Sequence, residues 1–167
     1  MSLRRVLHRV RQFCNLALVP LNEDERKEID TRLTPTQRKL FYGMSRLGQR
    51  HCLNVYRALR RACCRDVDTL CAALLHDVGK EGVGITHRVV CVLLQGLSPS
   101  LLERLASDRQ GFWRYGLYLN LNHAQQGAEM AEAAGASPLT VDLIRFHQSR
   151  GGSDPRLVAL KQADEMN

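Results

Sequence analysis

The sequence lacks several features that define common classes of protein. No apolar run approaches the roughly 18–20 residues that a helix needs to span a bilayer. The first residues are basic, but Arg9 and Arg11 interrupt the apolar residues around them, so no signal peptide is expected. The six cysteines include no C-x-x-C pair, and Cys63 and Cys64 are adjacent. This spacing favours reduced, buried thiols over disulfides or a thiolate metal site, and predicts a cytoplasmic protein.

Strict alternation of apolar and polar residues is almost absent, so no sheet is expected. The chain has 167 residues, 44% of them hydrophobic, with no repeat or linker, and we expect a single domain over 1–167. Apolar residues at helical spacing predict helices at 2–14, 22–31, 35–46, 48–63, 67–77, 86–96, 99–107, 122–134, 138–148 and 155–166. Residues 107–121 are predicted to be irregular. A capping residue precedes proline at Thr34, Ser98, Ser137 and Asp154, and the other predicted caps are Asp66, Thr86 and Asn122.

The net charge of +7 is unevenly distributed. Residues 1–61 hold 14 Lys or Arg and 5 Asp or Glu, whereas residues 62–167 hold 10 and 12. In the predicted helix 2–14, Leu3, Val6, Leu7, Val10 and Phe13 form one apolar face among arginines. We expect this basic amphipathic helix to dock on or flank the core at 35–167. Contact with a membrane surface or nucleic acid is the alternative, but no specific nucleic-acid motif accompanies it.

The most informative segment is Leu74-Leu75-His76-Asp77-Val78-Gly79-Lys80. An apolar run predicts a buried helix, and Gly79 is interpreted as its C-terminal stop. Imidazole and carboxylate groups at a buried helix end are costly unless a charged partner binds them. Together they suit a first-row divalent metal. A His-Asp pair alone is common, so the other polar residues decide its meaning.

Four further polar residues lie near the ends of predicted helices beside apolar residues, or on a helix itself: His51, His123, His147 and Asp164. Side chains from separate helices can converge on one point in a helical bundle. His8 and His87 lie outside this pattern and are interpreted as surface or packing residues.

The order of His51, His76-Asp77 and Asp164 resembles the HD superfamily of metal-dependent phosphohydrolases. His123 and His147 resemble the two extra histidines of its binuclear members, and Asp77-Val-Gly-Lys80 matches the usual continuation of the HD pair. The resemblance covers the chain from about residue 40 to its last residue and implies an all-α HD-domain bundle around a buried metal site. The Gly-Tyr-Pro signature of the cyclic-dinucleotide enzymes is missing, and Gln148 and Ser149 replace a further His and Glu.

The resemblance also implies roles for individual residues. One or two divalent transition ions (Fe, Mn, Co, Ni or Zn) would be held by His51, His76, Asp77, His123, His147 and Asp164, with Asp77 bridging. A metal-bound hydroxide would attack a small phosphate compound, with nucleotides favoured as substrates. Asp77 and Lys80 would be catalytic, and Lys80 would also bind the substrate together with Arg145 and Arg150. Arg50 is a weaker candidate for a phosphate contact.

Other interpretations remain open at this point. His123 and His147 are structural residues in one of them, and Lys80 is a solvated lysine. A catalytically silent regulatory module on the same fold is the main alternative to an enzyme, because some HD relatives lose their ligands. A diiron oxygenase is the other, because a few HD proteins cleave C–C or C–P bonds.

Overall fold

The computed structural model describes residues 20–149 and 151–167, and every regular element in these ranges is helical. The predicted helix 2–14 and Arg150 lie outside the described residues. The α-helices, in chain order, are α1 (Glu23–Asp30), α2 (Pro35–Gly43), α3 (Arg46–Arg61), α4 (Val67–Leu75), α5 (Ile85–Leu97), α6 (Pro99–Leu105), α7 (Trp113–Ala133), α8 (Pro138–Phe146) and α9 (Pro155–Met166). A short 3₁₀ helix, Val78–Lys80, follows α4. The all-α prediction is confirmed, and no described helix is long and apolar enough to cross a membrane.

Polar side chains begin several helices where the sequence predicts them. The Thr34 side chain accepts a hydrogen bond from Gln37 N, and the Gln37 side chain accepts one from Thr34 N, which satisfies two amides at the start of α2. Three further predicted caps accept backbone amides in the same way: Asp66, Ser137 and Asp154. Ser98 precedes α6 but makes no such bond. The prediction of Thr86 as a cap is wrong, because α5 begins after Gly84.

The prediction that residues 107–121 are irregular is wrong for most of that stretch. Helix α7 begins at Trp113, so Asn122 caps nothing and His123 lies inside the helix. Gly116 disfavours a helix by its own propensity. Tertiary packing explains why glycine is nevertheless present, because a Cβ at Gly116 would lie 2.6 Å from Cγ of His87. The ring of His87 therefore occupies the space that a side chain would need.

The interpretation of Gly79 as a helix stop is also wrong. Helix α4 ends at Leu75 with His76 as its C-cap, and Gly79 lies in the 3₁₀ helix beyond it. A Cβ on Gly79 would collide with the carbonyl oxygen of His123 and lie 2.7 Å from Gly127 N. Glycine is needed here because the turn after His76-Asp77 packs directly on the backbone of α7.

The other large boundary difference separates α2 from α3. The sequence predicts helices 35–46 and 48–63, but α2 ends at Gly43 and α3 begins at Arg46. Met44 is extended, and the Ser45 side chain accepts a hydrogen bond from Gly48 N. A serine that caps a helix competes with continuation of the helix before it.

Two apolar clusters hold the described helices together. The larger one contains side chains of α1–α4, the 3₁₀ helix and α7–α9, with α4 at its centre, since Thr69–Leu75 are all buried. The smaller one joins α5, α6 and the first half of α7 through Cys91, Leu102 and Leu117. The larger cluster includes the C-terminal end of α4, where His76 and Asp77 follow.

Candidate metal centre

The structure brings together all six side chains that the sequence predicts as metal ligands. They come from five separate segments. One lies within α3, two follow the end of α4, one lies within α7, one caps the end of α8 and one lies near the end of α9: His51, His76, Asp77, His123, His147 and Asp164. All five helices pack around the main apolar cluster, so the same burial that folds the bundle assembles the site.

The first group of side chains lies between α3, α4 and α9. His51 Nε2 is 2.9 Å from Asp164 Oδ1 and 3.3 Å from His76 Nε2. His76 Nε2 is 3.6 Å from Asp164 Oδ1. One ligand atom from each residue lies within 4.8 Å of the others, so this group can hold a metal ion.

The second group lies around Asp77. One ligand atom each from His76, Asp77 and His147 also lies within 4.8 Å of the others. Asp77 Oδ1 is 3.6 Å from His76 Nε2 and 3.4 Å from His123 Nε2. Asp77 Oδ2 is 4.0 Å from His51 Nε2, so Asp77 stands between the two groups. The ring of His147 is 5.3 Å, centroid to centroid, from that of His123.

Backbone carbonyls fix the orientation of three of these imidazoles. His76 Nδ1 lies 3.0 Å from Ala73 O, His123 Nδ1 lies 2.7 Å from Asn120 O and His147 Nδ1 lies 2.6 Å from Ile144 O. Each carbonyl belongs to the residue three positions earlier. A carbonyl only accepts, so each Nδ1 carries the proton and donates it, which leaves the Nε2 lone pair for a ligand. At the ends of α4 and α8 the same bonds satisfy carbonyls that the helix leaves open.

Two polar atoms in the site are buried without a hydrogen-bond partner among the described residues: His123 Nε2 and His147 Nε2. Their residues are 1% and 3% exposed, respectively. A buried polar atom left unsatisfied costs on the order of 1–3 kcal/mol. Because these atoms are two imidazole lone pairs and His123 Nε2 lies 3.4 Å from the Asp77 carboxylate, a divalent transition metal would satisfy both, and the residues present fit that group.

The electrostatics of the site favour a cation. Burial lowers the pKa of His147 to about 4 and holds that of His123 well below 6.5, so both rings are neutral at neutral pH, as metal ligands must be. Burial opposes a proton on His76, but the neighbouring thiol and carboxylates outweigh burial and raise its pKa. Burial likewise disfavours an ionised Asp77, yet the charges of Lys80 and His76 hold its pKa well below the usual range.

Lys80 forms an ion pair with one of the predicted ligands. Its Nζ lies 2.8 Å from Asp77 Oδ1 and 2.9 Å from Asp77 Oδ2, and its side chain is 18% exposed. The alternative of a solvated lysine therefore does not hold. The ammonium therefore pairs with a predicted ligand while part of the side chain reaches solvent.

The arginines that the sequence predicts as phosphate contacts are placed differently from Lys80. Arg145 donates to Asp142 on its own helix at 3.0 Å, and its role in substrate binding stays a prediction. Arg150 lies outside the described residues. Arg50, the weaker candidate, does not face the site; it is buried and donates to both carboxylate oxygens of Glu25 and to Pro20 O. Its charge therefore holds α1 against α3.

Two features of the site are not evident in the sequence. The first is the direct contact of Gly79 with α7, which sets the position of Asp77 relative to His123. The second is Cys52, whose buried Sγ lies 3.8 Å from His76 Nδ1 on the side of the ring that faces away from the other ligands. Cys52 directly follows His51 in the sequence, but only the packing of α3 on α4 brings it close to His76.

Residues 48–166 match the family described as the HD domain. The match covers well over half of the chain, which therefore belongs to the HD domain family. This family is typical of hydrolases that depend on divalent metals, in agreement with the donor set described above. Comparisons with curated proteins and with solved structures return no match.

Proposed function

We propose that this protein is a metal-dependent phosphohydrolase that acts on a small phosphate compound, with nucleotides favoured as substrates. One observation carries the proposal: His123 Nε2 and His147 Nε2 are buried beside the Asp77 carboxylate, where five segments meet, without a hydrogen-bond partner among the described residues. Buried polar atoms without a partner destabilise a protein that binds no ligand there, whereas in a metal centre they bind the ion.

The residues divide the work of holding the metal. His51, His76 and Asp164 would hold one ion, and His123 and His147 a second, with Asp77 shared between them. A bound divalent ion supplies Lewis acidity, which polarises a phosphate oxygen and acidifies a water molecule. Nδ1 hydrogen bonds keep the three imidazoles of His76, His123 and His147 oriented through turnover.

Lys80 would act on the substrate. Its ammonium has three N–H donors, two carboxylate oxygens lie within 3 Å of it, and its side chain is 18% exposed. We assign it to offset the negative charge of the phosphate as that charge increases during bond cleavage. Arg145 and Arg150 are further proposed phosphate contacts, and guanidinium suits phosphate because it binds two oxygens at once.

The experiment is a measurement of metal content per chain, combined with hydrolysis of a panel of nucleotides and phosphoesters with Mn²⁺ or Fe²⁺ restored. We expect bound metal and turnover, and loss of both in Asp77→Ala. The control is Asp24→Ala, which removes an aspartate from the exposed face of α1. Metal without turnover across the panel would favour an oxygenase or another substrate. No metal after reconstitution would refute the proposal and leave a regulatory scaffold.

A further inference from the structure

Hydrogen bonds from Lys161 join α9 to the loop that follows His147. Lys161 Nζ donates to Ser149 O at 2.7 Å and to Gly151 O at 2.7 Å, and it lies 3.4 Å from Ser149 Oγ. These contacts use the three donors of the ammonium on one short segment. The lysine is therefore a structural cation, which the sequence does not predict.

The backbone conformation of the loop allows this contact with the Lys161 ammonium. Gly151 and Gly152 adopt φ values of +89° and +109°, which side chains rarely allow. A Cβ on Gly152 would lie 2.9 Å from Leu157 Cδ2 and 3.9 Å from Lys161 Nζ. The two glycines therefore let the loop lie against α9 with two carbonyls turned towards one ammonium.

Predicted metal ligands lie close in sequence to both sides of this hydrogen-bonded contact. On one side, Ser149 follows His147 by two residues, and its amide and hydroxyl both donate to Phe146 O, at 3.0 Å and 2.8 Å. On the other side, Lys161 precedes Asp164 by three residues, so the two side chains lie on one side of α9. Asp164 in turn is 2.9 Å from His51 Nε2.

Helix α9 packs against α3, α4 and α8. Lys161 adds a polar contact between α9 and the segment that directly follows His147. We propose that Lys161 is a positioning residue that sets His147 relative to Asp164, and so couples the two groups of metal ligands. The inference rests on the proposed function where it invokes the metal, but the coupling is a property of the apoprotein too.

The test compares Lys161→Met with the wild type by Co²⁺ titration, following both the visible absorption of the bound ion and the stoichiometry. We expect affinity to fall about tenfold or more, the range typical of groups that orient metal ligands, and the absorption spectrum to change. Lys161→Arg should restore part of the affinity because it keeps the charge and the donors. Lys39→Met removes an exposed lysine from α2 and should change neither quantity.

A second measurement separates this inference from the proposed function. In the metal-free protein, the ring resonances of His147 should shift in Lys161→Met and not in Lys39→Met, whereas those of His51 should change less. If the wild type binds no Co²⁺, the proposed function fails and the ring resonances alone decide the role of Lys161. Unchanged ring resonances, or wild-type affinity and spectrum in Lys161→Met, would overturn the inference. Thermal unfolding of the variant shows whether it is folded, and Lys161→Gln replaces it if it is not.

Discussion

Replacing Gly79 with alanine should damage the metal centre without touching a ligand. The new Cβ would collide with His123 O and lie 2.7 Å from Gly127 N, whereas ordinary contacts begin near 3.4 Å. Both opposing atoms belong to the backbone of α7, so no side chain can turn away. The 3₁₀ helix must therefore move from α7 by at least the missing 0.7 Å or so.

This movement would act directly on Asp77, which precedes Gly79 by two residues and lies 3.4 Å from His123 Nε2. Overpacking of this kind costs about 1–3 kcal/mol of folding free energy. A shift of ligands by a sizeable fraction of an ångström should also lower metal affinity by about 10–100-fold. We expect both effects in Gly79→Ala, measured by urea denaturation of the metal-free protein and by metal titration.

Gly96→Ala is the matched control. Gly96 lies in α5 with no atom within 4 Å of the position of a Cβ, so the substitution meets no obstacle. Alanine should stabilise the helix by up to about 1 kcal/mol and leave metal affinity unchanged. If Gly79→Ala binds metal as tightly as the wild type, the close packing of the turn on α7 does not position Asp77, and the reasoning fails.

Three other predictions concern the metal ligands, the bound metal and the buried ion pair of Glu25. His123→Ala should lower the metal content from about two ions per chain to about one, measured by elemental analysis; an unchanged ratio would indicate that His123 is no ligand. Removal of metal with a chelator should lower the melting temperature, because ions that bind only the folded chain stabilise it; an equal melting temperature would argue against a bound ion. Glu25→Gln should change the acid stability, because the hydrogen bond from Arg50 lowers the pKa of Glu25 from 4.5 to about 2. That stabilisation is present above pH 4.5, is lost as the pH falls to about 2, and amounts to about 3 kcal/mol. If the wild type and Glu25→Gln lose stability in parallel between pH 4.5 and 2, the prediction for Glu25 is contradicted.

Much of the fold could be predicted because its signals are local. Capping residues and prolines mark the starts of α2, α8 and α9, and the apolar run before His76 predicts a buried helix. These signals depend on neighbours within a few residues, so the sequence carries them directly. The start of α7 was missed because glycine has a low helix propensity, and the need for glycine at position 116 depends on the ring of His87, which lies against it only in the folded chain.

The sequence by itself determined the helical class, which follows from local periodicity, and the six side chains that meet in the bundle, which its resemblance to the HD superfamily implies. Tertiary structure alone decided how they meet. Gly79 lies against α7, Lys80 turns to Asp77, Arg50 is buried against Glu25, and Lys161 holds the loop after His147. Each of these contacts joins segments that pack together only in the folded chain, or depends on where that packing leaves a charge, and no local pattern records it.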